Sequence, residues 1–267
     1  MVWINKVIPA KAGIYRVSVW MPAVAGMTFF ILAMAGCSSN HAELNAHFQK
    51  ANESYKKADF DAAIKEYEAI ISEKLSSSSV FYNLANSYFK KNDLGKAILN
   101  YERAMMWAPR DGDIKANLRY AQSFVKNPVP EDLPETWQRI FIHNDLVTVN
   151  EITWILTFLF MAGGTVFVLG LFSGWPQGKL GAVFTVFGIL FFFHYIALSV
   201  KVEKEQNQAI ILADAPARFE PEENATVHFE MFKGWKVKVI KESGGWVQLM
   251  RGDGKQGWVP RYVLEKI

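Results

Sequence analysis

Two stretches of the chain, residues 152–172 and 180–200, each run 21 residues without Asp, Glu, Lys or Arg. A helix crosses a bilayer core with roughly 20 apolar residues, so either stretch is long enough to span one. They are joined by Ser173-Gly174-Trp175-Pro176-Gln177-Gly178-Lys179, a turn too short to hold a domain. A transmembrane hairpin is therefore expected, with the polar regions before and after it on the same side of the membrane. The two stretches also hold 9 of the 20 Phe in the 267 residues. The 51% hydrophobic composition is thus concentrated in the membrane rather than spread through one large soluble core.

The charges, 29 basic against 26 acidic, are distributed along the whole length. A nucleic-acid-binding protein would carry a clustered basic stripe, so nucleic acid is not an expected partner. The single cysteine, Cys37, excludes a disulfide framework and a four-cysteine zinc site. It ends a segment, residues 1–37, in which Lys6, Lys11 and Arg16 precede an apolar run and small residues follow. Basic, apolar, then small is the order of an export signal. The run Ala33-Met34-Ala35-Gly36-Cys37 resembles a bacterial lipobox, which implies a lipoprotein cleaved before a lipidated Cys37. An ordinary signal peptide or an uncleaved anchor with an incidental cysteine is the other reading. Pro9-Ala10-Lys11-Ala12-Gly13 recurs as Pro22-Ala23-Val24-Ala25-Gly26, and residues 7–28 resemble translated copies of a palindromic intergenic repeat. That resemblance implies a repeat inserted at, or misread into, the start of the gene.

Residues 42–126 repeat themselves at a spacing of 34. Ala51 pairs with Ala85, Asn52 with Asn86, Tyr55 with Phe89, Asp59 with Asp93, Ala63-Ile64 with Ala97-Ile98, and Tyr67-Glu68 with Tyr101-Glu102. The period, with Ala97, Tyr101, Ala104 and Pro109, resembles the tetratricopeptide (TPR) repeat, which implies two antiparallel helices per unit. Repeat one is expected over about 44–77 and repeat two over 78–111, followed by a capping helix around 113–124. Small Ala51, Ala63, Ala85 and Ala97 would let helices approach closely, Tyr67 and Tyr101 would fill the space between units, and Pro109 would stop the second helix. Repeat arrays usually need about three units for stability, so this shorter array is expected to lean on a partner, the membrane or another copy. In TPR domains the first helix of each pair lines a groove for a peptide or partner helix. The resemblance implies Asn52, Tyr55, Lys56, Asn86, Phe89 and Lys90 as groove residues. The alternative is that Tyr55 and Phe89 are core and the lysines a solvated face.

Residues 127–151 begin with Asn127-Pro128-Val129-Pro130-Glu131-Asp132-Leu133-Pro134, a proline-rich linker, and continue into an expected interfacial helix with Trp137, Ile140 and Phe141 toward lipid. Arg139, Lys201 and Lys204 flank the hairpin against one lysine in its turn, a small bias toward a cytoplasmic placement. The export signal argues for the periplasm and is given more weight. His194, within the second apolar stretch, has no acidic partner in either span, so a neutral imidazole bonded to a carbonyl is expected. Gly163, Gly164, Gly170 and Gly181 read as small packing residues of the hairpin.

After a charged linker at 201–208 the period changes to short alternating strands separated by Gly244-Gly245 and Gly252-Asp253-Gly254, the pattern of a small barrel. Gly245-Trp246-Val247 and Gly257-Trp258-Val259-Pro260 resemble the bacterial SH3 (SH3b) domain, over 209–267. Trp246 and Trp258 are its candidate ligand surface; in so small a barrel they are equally candidates for core. The fold class expected is a multidomain membrane protein: all-α TPR helical repeats, a two-helix transmembrane hairpin over 152–200 and a small all-β SH3-like barrel.

Phosphate-cradling, His-Glu-x-x-His and Gly-x-Ser-x-Gly motifs are missing from the sequence, and its five His are scattered. No enzyme, cofactor or metal site is expected. The order of export signal, TPR pair, hairpin and SH3b resembles the BatE-like proteins of bacterial aerotolerance (Bat) operons. The resemblance implies a non-enzymatic scaffold in the inner membrane, its soluble domains periplasmic, acting with von Willebrand factor A-type Bat membrane proteins and, indirectly, a MoxR-type ATPase. The alternative is an envelope receptor that binds peptidoglycan peptides through SH3b and recruits a cell-wall protein through TPR.

Overall fold

A computed structural model of the chain describes residues 15–16, 38–73, 75–128 and 146–267. Of the expected export signal only Tyr15–Arg16 are described, paired antiparallel with Leu75–Ser76; its apolar run, the lipobox-like Cys37 and most of the expected interfacial helix lie outside the described residues.

Among the described residues, five helices make up the repeat region: α1 (Ser38–Lys56), α2 (Phe60–Ser72), α3 (Ser78–Lys90), α4 (Leu94–Trp107) and α5 (Gly112–Gln122). Their starts repeat as the sequence does. Asp59 accepts the Ala62 N–H (3.1 Å) and Asp93 the Lys96 N–H (3.2 Å), capping α2 and α4. Ser77 and Asp111, one repeat period apart, cap α3 and α5. Between paired helices the chain reverses through one left-handed residue, Ala58 (φ 60°) in the first unit and Asn92 (φ 62°) in the second. Ala51, Ala63, Ala85, Ala97, Tyr67 and Tyr101 have no exposed surface. The alanines leave room for the large rings between helices, which is the division of labour their spacing predicts. Helix α4 ends at Trp107, just ahead of Pro109.

Two long apolar helices follow, α6 (Val149–Phe172) and α7 (Gln177–Gln206). At about 1.5 Å per residue, both are longer than the roughly 30 Å of a hydrocarbon core. Thr148 caps α6 in a reciprocal box with Glu151. Trp154, Phe158, Phe160 and Phe172 are all more than 70% exposed, unlike the side chains of a soluble core helix. Within this pair, a Cβ on Gly163 would lie 3.0 Å from the Phe187 ring and one on Gly170 would lie 2.5 Å from Leu180. Gly164 and Gly181 meet nothing within 4 Å, so the packing role expected of four glycines falls to two. His194 Nδ1 donates to Leu190 O (2.9 Å), one turn back on its own helix. The linker expected at 201–208 is instead helix as far as Gln206, with Lys201 paired to Glu205 one turn on (3.1 Å).

Seven strands form one antiparallel sheet: β1 (Gln208–Ile211), β2 (Ala215–Arg218), β3 (Val227–Met231), β4 (Lys236–Ser243), β5 (Trp246–Met250), β6 (Gln256–Pro260) and β7 (Leu264–Lys266). Their spatial order is β3-β2-β6-β5-β4-β1-β7. Gly244 (φ 58°) and Gly245 (φ 83°) make the two-residue turn that pairs Ser243 with Trp246. Ala217, Met231, Val247, Leu249 and Val259 form its buried face.

The helical repeats and the sheet belong to one compact unit, and α6 with α7 to a second. Within the first unit, Ile210 of β1 is a member of the helical core, with Leu212 and Ile267 packed against it. Helix α4 approaches the sheet through Gly95, where a Cβ would sit 2.9 Å from the Leu212 Cα. Gly234 (φ 89°) makes the reverse approach, where a Cβ would lie 2.8 Å from Val125 and 2.9 Å from Ile98. Around these contacts Arg103 Nη2 bonds Glu265 Oε1 (2.8 Å) and donates to Lys266 O (2.7 Å), and Lys236 Nζ meets Glu102 Oε2 (2.9 Å). Trp235 Nε1 donates to Lys126 O (2.9 Å). The short helical array is thus braced by the C-terminal domain of its own chain.

Candidate protein-interaction surfaces

Of the six expected groove residues, three are held inside the array. Asn52 is 7% exposed and accepts from Tyr67 Oη (2.6 Å) and Asn83 Nδ2 (3.3 Å). Asn86, fully buried, accepts from Tyr101 Oη (2.5 Å) and Asn117 Nδ2 (3.5 Å). The same brace is built once in each unit, tying each first helix to its own second helix and to the next unit. A buried amide satisfied this way fixes helix register and presents nothing to a ligand. Tyr55 is also buried, edge-on to Phe60 with centroids 5.4 Å apart. Loss of hydration raises its phenol above the ordinary range, and does the same to Tyr67 and Tyr101. Tyr82 is pushed up to about 12 by the same cause.

The other three reach the surface. Lys56 and Lys90 are solvent-accessible and Phe89 is half-buried. Phe89 meets two rings that the sequence pattern did not single out, Tyr120 and Phe124, each with its centroid 5.7 Å away. The available signal was a break in the repeat: Tyr120 stands where the earlier units have Asn52 and Asn86, and Phe124 where they have Lys56 and Lys90.

On the sheet, Trp246 pairs with Pro260 and Trp258 with Gln248, so both tryptophans lie on the face opposite Val247, Leu249 and Val259. They are half-buried, with Tyr262 of the following 3-10 turn 81% exposed. The contact with the helical repeats uses other parts of the sheet, namely β1, β7 and the turn at Gly234-Trp235. There Arg251 lies over the Phe229 and Trp235 rings, 5.0 Å from each, and Lys126 over Phe232 at 4.5 Å. Cation and ring alternate along this seam, which closes the end of the helical region onto the sheet around a cleft of about 370 Å³. Arg251 is also bonded to Asp253, whose carboxyl it holds below the usual range.

A further charged cluster joins α1 to α2. Glu66, 7% exposed, receives Lys50 Nζ (2.6 Å) and lies 2.5 Å from His47 Nδ1. The Lys50 and His47 bonds keep its carboxyl below the ordinary range. Among the described residues no group of three or more His, Cys, Asp or Glu is placed to hold a metal ion.

Both Gly-Trp-Val segments fall on neighbouring strands of the sheet, and residues 213–266 match the family model of the bacterial SH3 domain. Residues 78–111, the second helical unit, match that of the tetratricopeptide repeat. No curated protein matches the chain. The first helical unit, outside the matched segment, carries the same cap, turn and asparagine brace as the second. The chain therefore combines a TPR region, two long apolar helices and an SH3b domain, and both matched modules are non-catalytic interaction domains.

Proposed function

We propose that this chain is a non-enzymatic scaffold, held in the bacterial inner membrane by α6 and α7, that presents TPR and SH3b surfaces to other proteins in the periplasm. The observation that carries the reading is the docking of SH3b on α4 through Gly95, Arg103 and Glu102. It makes one interaction body of two modules whose sequences lie on either side of the hairpin. The order of modules supports a BatE-like role in a Bat/MoxR-type complex linked to aerotolerance or envelope stress. Its partners would be von Willebrand factor A-type membrane proteins and, through them, a MoxR-type ATPase. Crosslinking in membranes through the 44–126 region should capture an integral von Willebrand-type protein. Recovery of the scaffold alone would count against the reading.

A second reading is favoured by the two half-buried tryptophans, Trp246 and Trp258, which share the face of the sheet opposite its buried side. Docking on the TPR region leaves this face uncovered, as a receptor for peptidoglycan peptides would need. Sedimentation of the detergent-solubilised chain with purified peptidoglycan tests it: saturable binding lost in Trp258→Ala supports a receptor, and no binding removes it.

A further inference from the structure

We infer that the end of the SH3b sheet carrying Lys241, Arg261 and Lys266 is a docking surface for anionic phospholipid, seated at the headgroups of the bilayer that α6 and α7 cross. This rests on the membrane placement in the scaffold reading above and adds a lipid surface to the protein partners named there.

The three cations come from separate parts of the domain and are gathered by the fold. Glu242 receives Lys266 Nζ (2.7 Å) and lies 3.8 Å from Arg261 Nε. The Arg261 N–H donates to Gly245 O (2.8 Å), which holds Arg261 beside the β4–β5 turn. Lys241 immediately precedes Glu242 on β4 and is exposed. One carboxylate is thus set among three cations, and the Lys266 bond, with Arg261 behind it, keeps that carboxyl below the ordinary range. The other acid nearby, Glu265, is taken by Arg103. Positive charge is left over, on side chains that stay open: Lys266 is 43% and Arg261 44% exposed. Tyr262, next to Arg261, is 81% exposed, and a ring with a polar tip suits the membrane–water interface.

Chain connectivity brings this end of the sheet to the bilayer. The uncharged stretch of α7 closes at Val200, and residues 201–206 extend the helix by about 9 Å, little more than one headgroup layer. Only Asn207 then separates α7 from β1, whose Ala209 pairs with Lys266. Residues 201–206 are themselves balanced, Lys201 and Lys204 against Glu203 and Glu205, so the excess charge at this level comes from SH3b. Cations held near an anionic leaflet are attracted to it over a Debye length. A free phosphate would meet the same groups, but the covalent tether holds them at headgroup height, which favours lipid.

The test uses the full chain, with Cys37→Ser as background, in nanodiscs of phosphatidylcholine alone or with one quarter phosphatidylglycerol. Ser243→Cys, exposed at the β4–β5 turn, carries a polarity-sensitive fluorophore; Lys255→Cys, in the turn at the other end of β5, carries it as the control. Phosphatidylglycerol should shift the Ser243→Cys emission to the blue and leave that of Lys255→Cys unmoved. The shift should vanish in 1 M salt, where the Debye length is about 3 Å, be lost in Lys241→Glu and be kept in Lys241→Arg. No shift, an equal shift in phosphatidylcholine alone, or an undiminished shift in Lys241→Glu would each overturn the inference. So would a shift produced by inorganic phosphate in phosphatidylcholine discs, which would make the ligand a free anion. A chain that does not enter nanodiscs would remove the membrane placement as well, whereas one that enters without a shift leaves the scaffold reading intact.

Discussion

Asn86 shows how a residue on the ligand-facing helix of a repeat can be committed to the repeat itself. It has no exposed surface and receives the Tyr101 hydroxyl and the Asn117 amide. Asn86→Ala should lower stability by about 1–3 kcal/mol, because it strands the buried Tyr101 hydroxyl, while the Asn117 amide keeps its bond to Tyr82 Oη (2.6 Å); a lower urea midpoint with an unchanged slope would show it. Ala58 is the opposite case, a non-glycine residue at φ 60° where the second unit has Asn92. Ala58→Gly should stabilise by about 0.5–1 kcal/mol by removing the left-handed strain, and an unchanged midpoint would contradict that. For Glu66 the folded carboxyl titrates below its unfolded value, so its contribution is complete above the unfolded pKa and is lost as pH falls through the folded one. The stability gap between wild type and Glu66→Gln should therefore be widest near neutrality and shrink below about pH 4, the unfolded range of glutamate. Recurrence from one unit to the next marked Asn52 and Asn86 as important from sequence, but periodicity is equally satisfied by a groove residue and a brace. Only the partner atoms, on the second helix of the same unit and the first helix of the next, separate the two.

At the scale of elements, the repeat helices and strands were legible because each has a period, a cap and a stop that act locally. Asp59, Asp93 and Gly244-Gly245 are signals of this kind. The docking of SH3b was not legible, since it depends on a close approach between residues far apart along the chain. Its trace in the sequence is Gly95, which stands where the first unit has Asp61. A glycine inside a helix costs up to about 1 kcal/mol against alanine, and the offset comes from letting the Leu212 backbone lie against α4. Gly95→Leu should favour α4 as a helix yet expel the sheet from it. The expected outcome is two separated thermal transitions in place of one; a single transition at the wild-type midpoint would contradict the docking. The end of α7 illustrates a second limit. Lys201 to Gln206 is charged enough to read as linker, but the Lys201–Glu205 pair and Lys204 in the last turn suit a helix C-terminus.

For the whole molecule, two soluble modules that flank the hairpin in sequence form one body, and a pair of apolar helices interrupts its chain. A short repeat array is thereby stabilised without a third full unit, a support that its length alone would assign to an outside partner. It also means that the surfaces open to partners are those that docking leaves clear: the Phe89, Tyr120 and Phe124 edge of the repeats and the Trp246 and Trp258 face of SH3b. Placement in the periplasm predicts that a C-terminal alkaline phosphatase fusion is active and a green fluorescent fusion dark; the reverse pattern would remove both the periplasmic and the peptidoglycan readings. The central claim is that the TPR and SH3b regions are one docked unit, and it is tested most directly by a cysteine pair at its polar clasp. With Cys37→Ser as background, Arg103→Cys combined with Glu265→Cys should be bridged within a single chain by a reducible bis-maleimide, whose span replaces the two long side chains that meet there at 2.8 Å. After proteolysis of the segment around 129–145, the two fragments should then stay joined until reduced. Fragments that separate without reductant, or cysteines that pair only between chains, would contradict it.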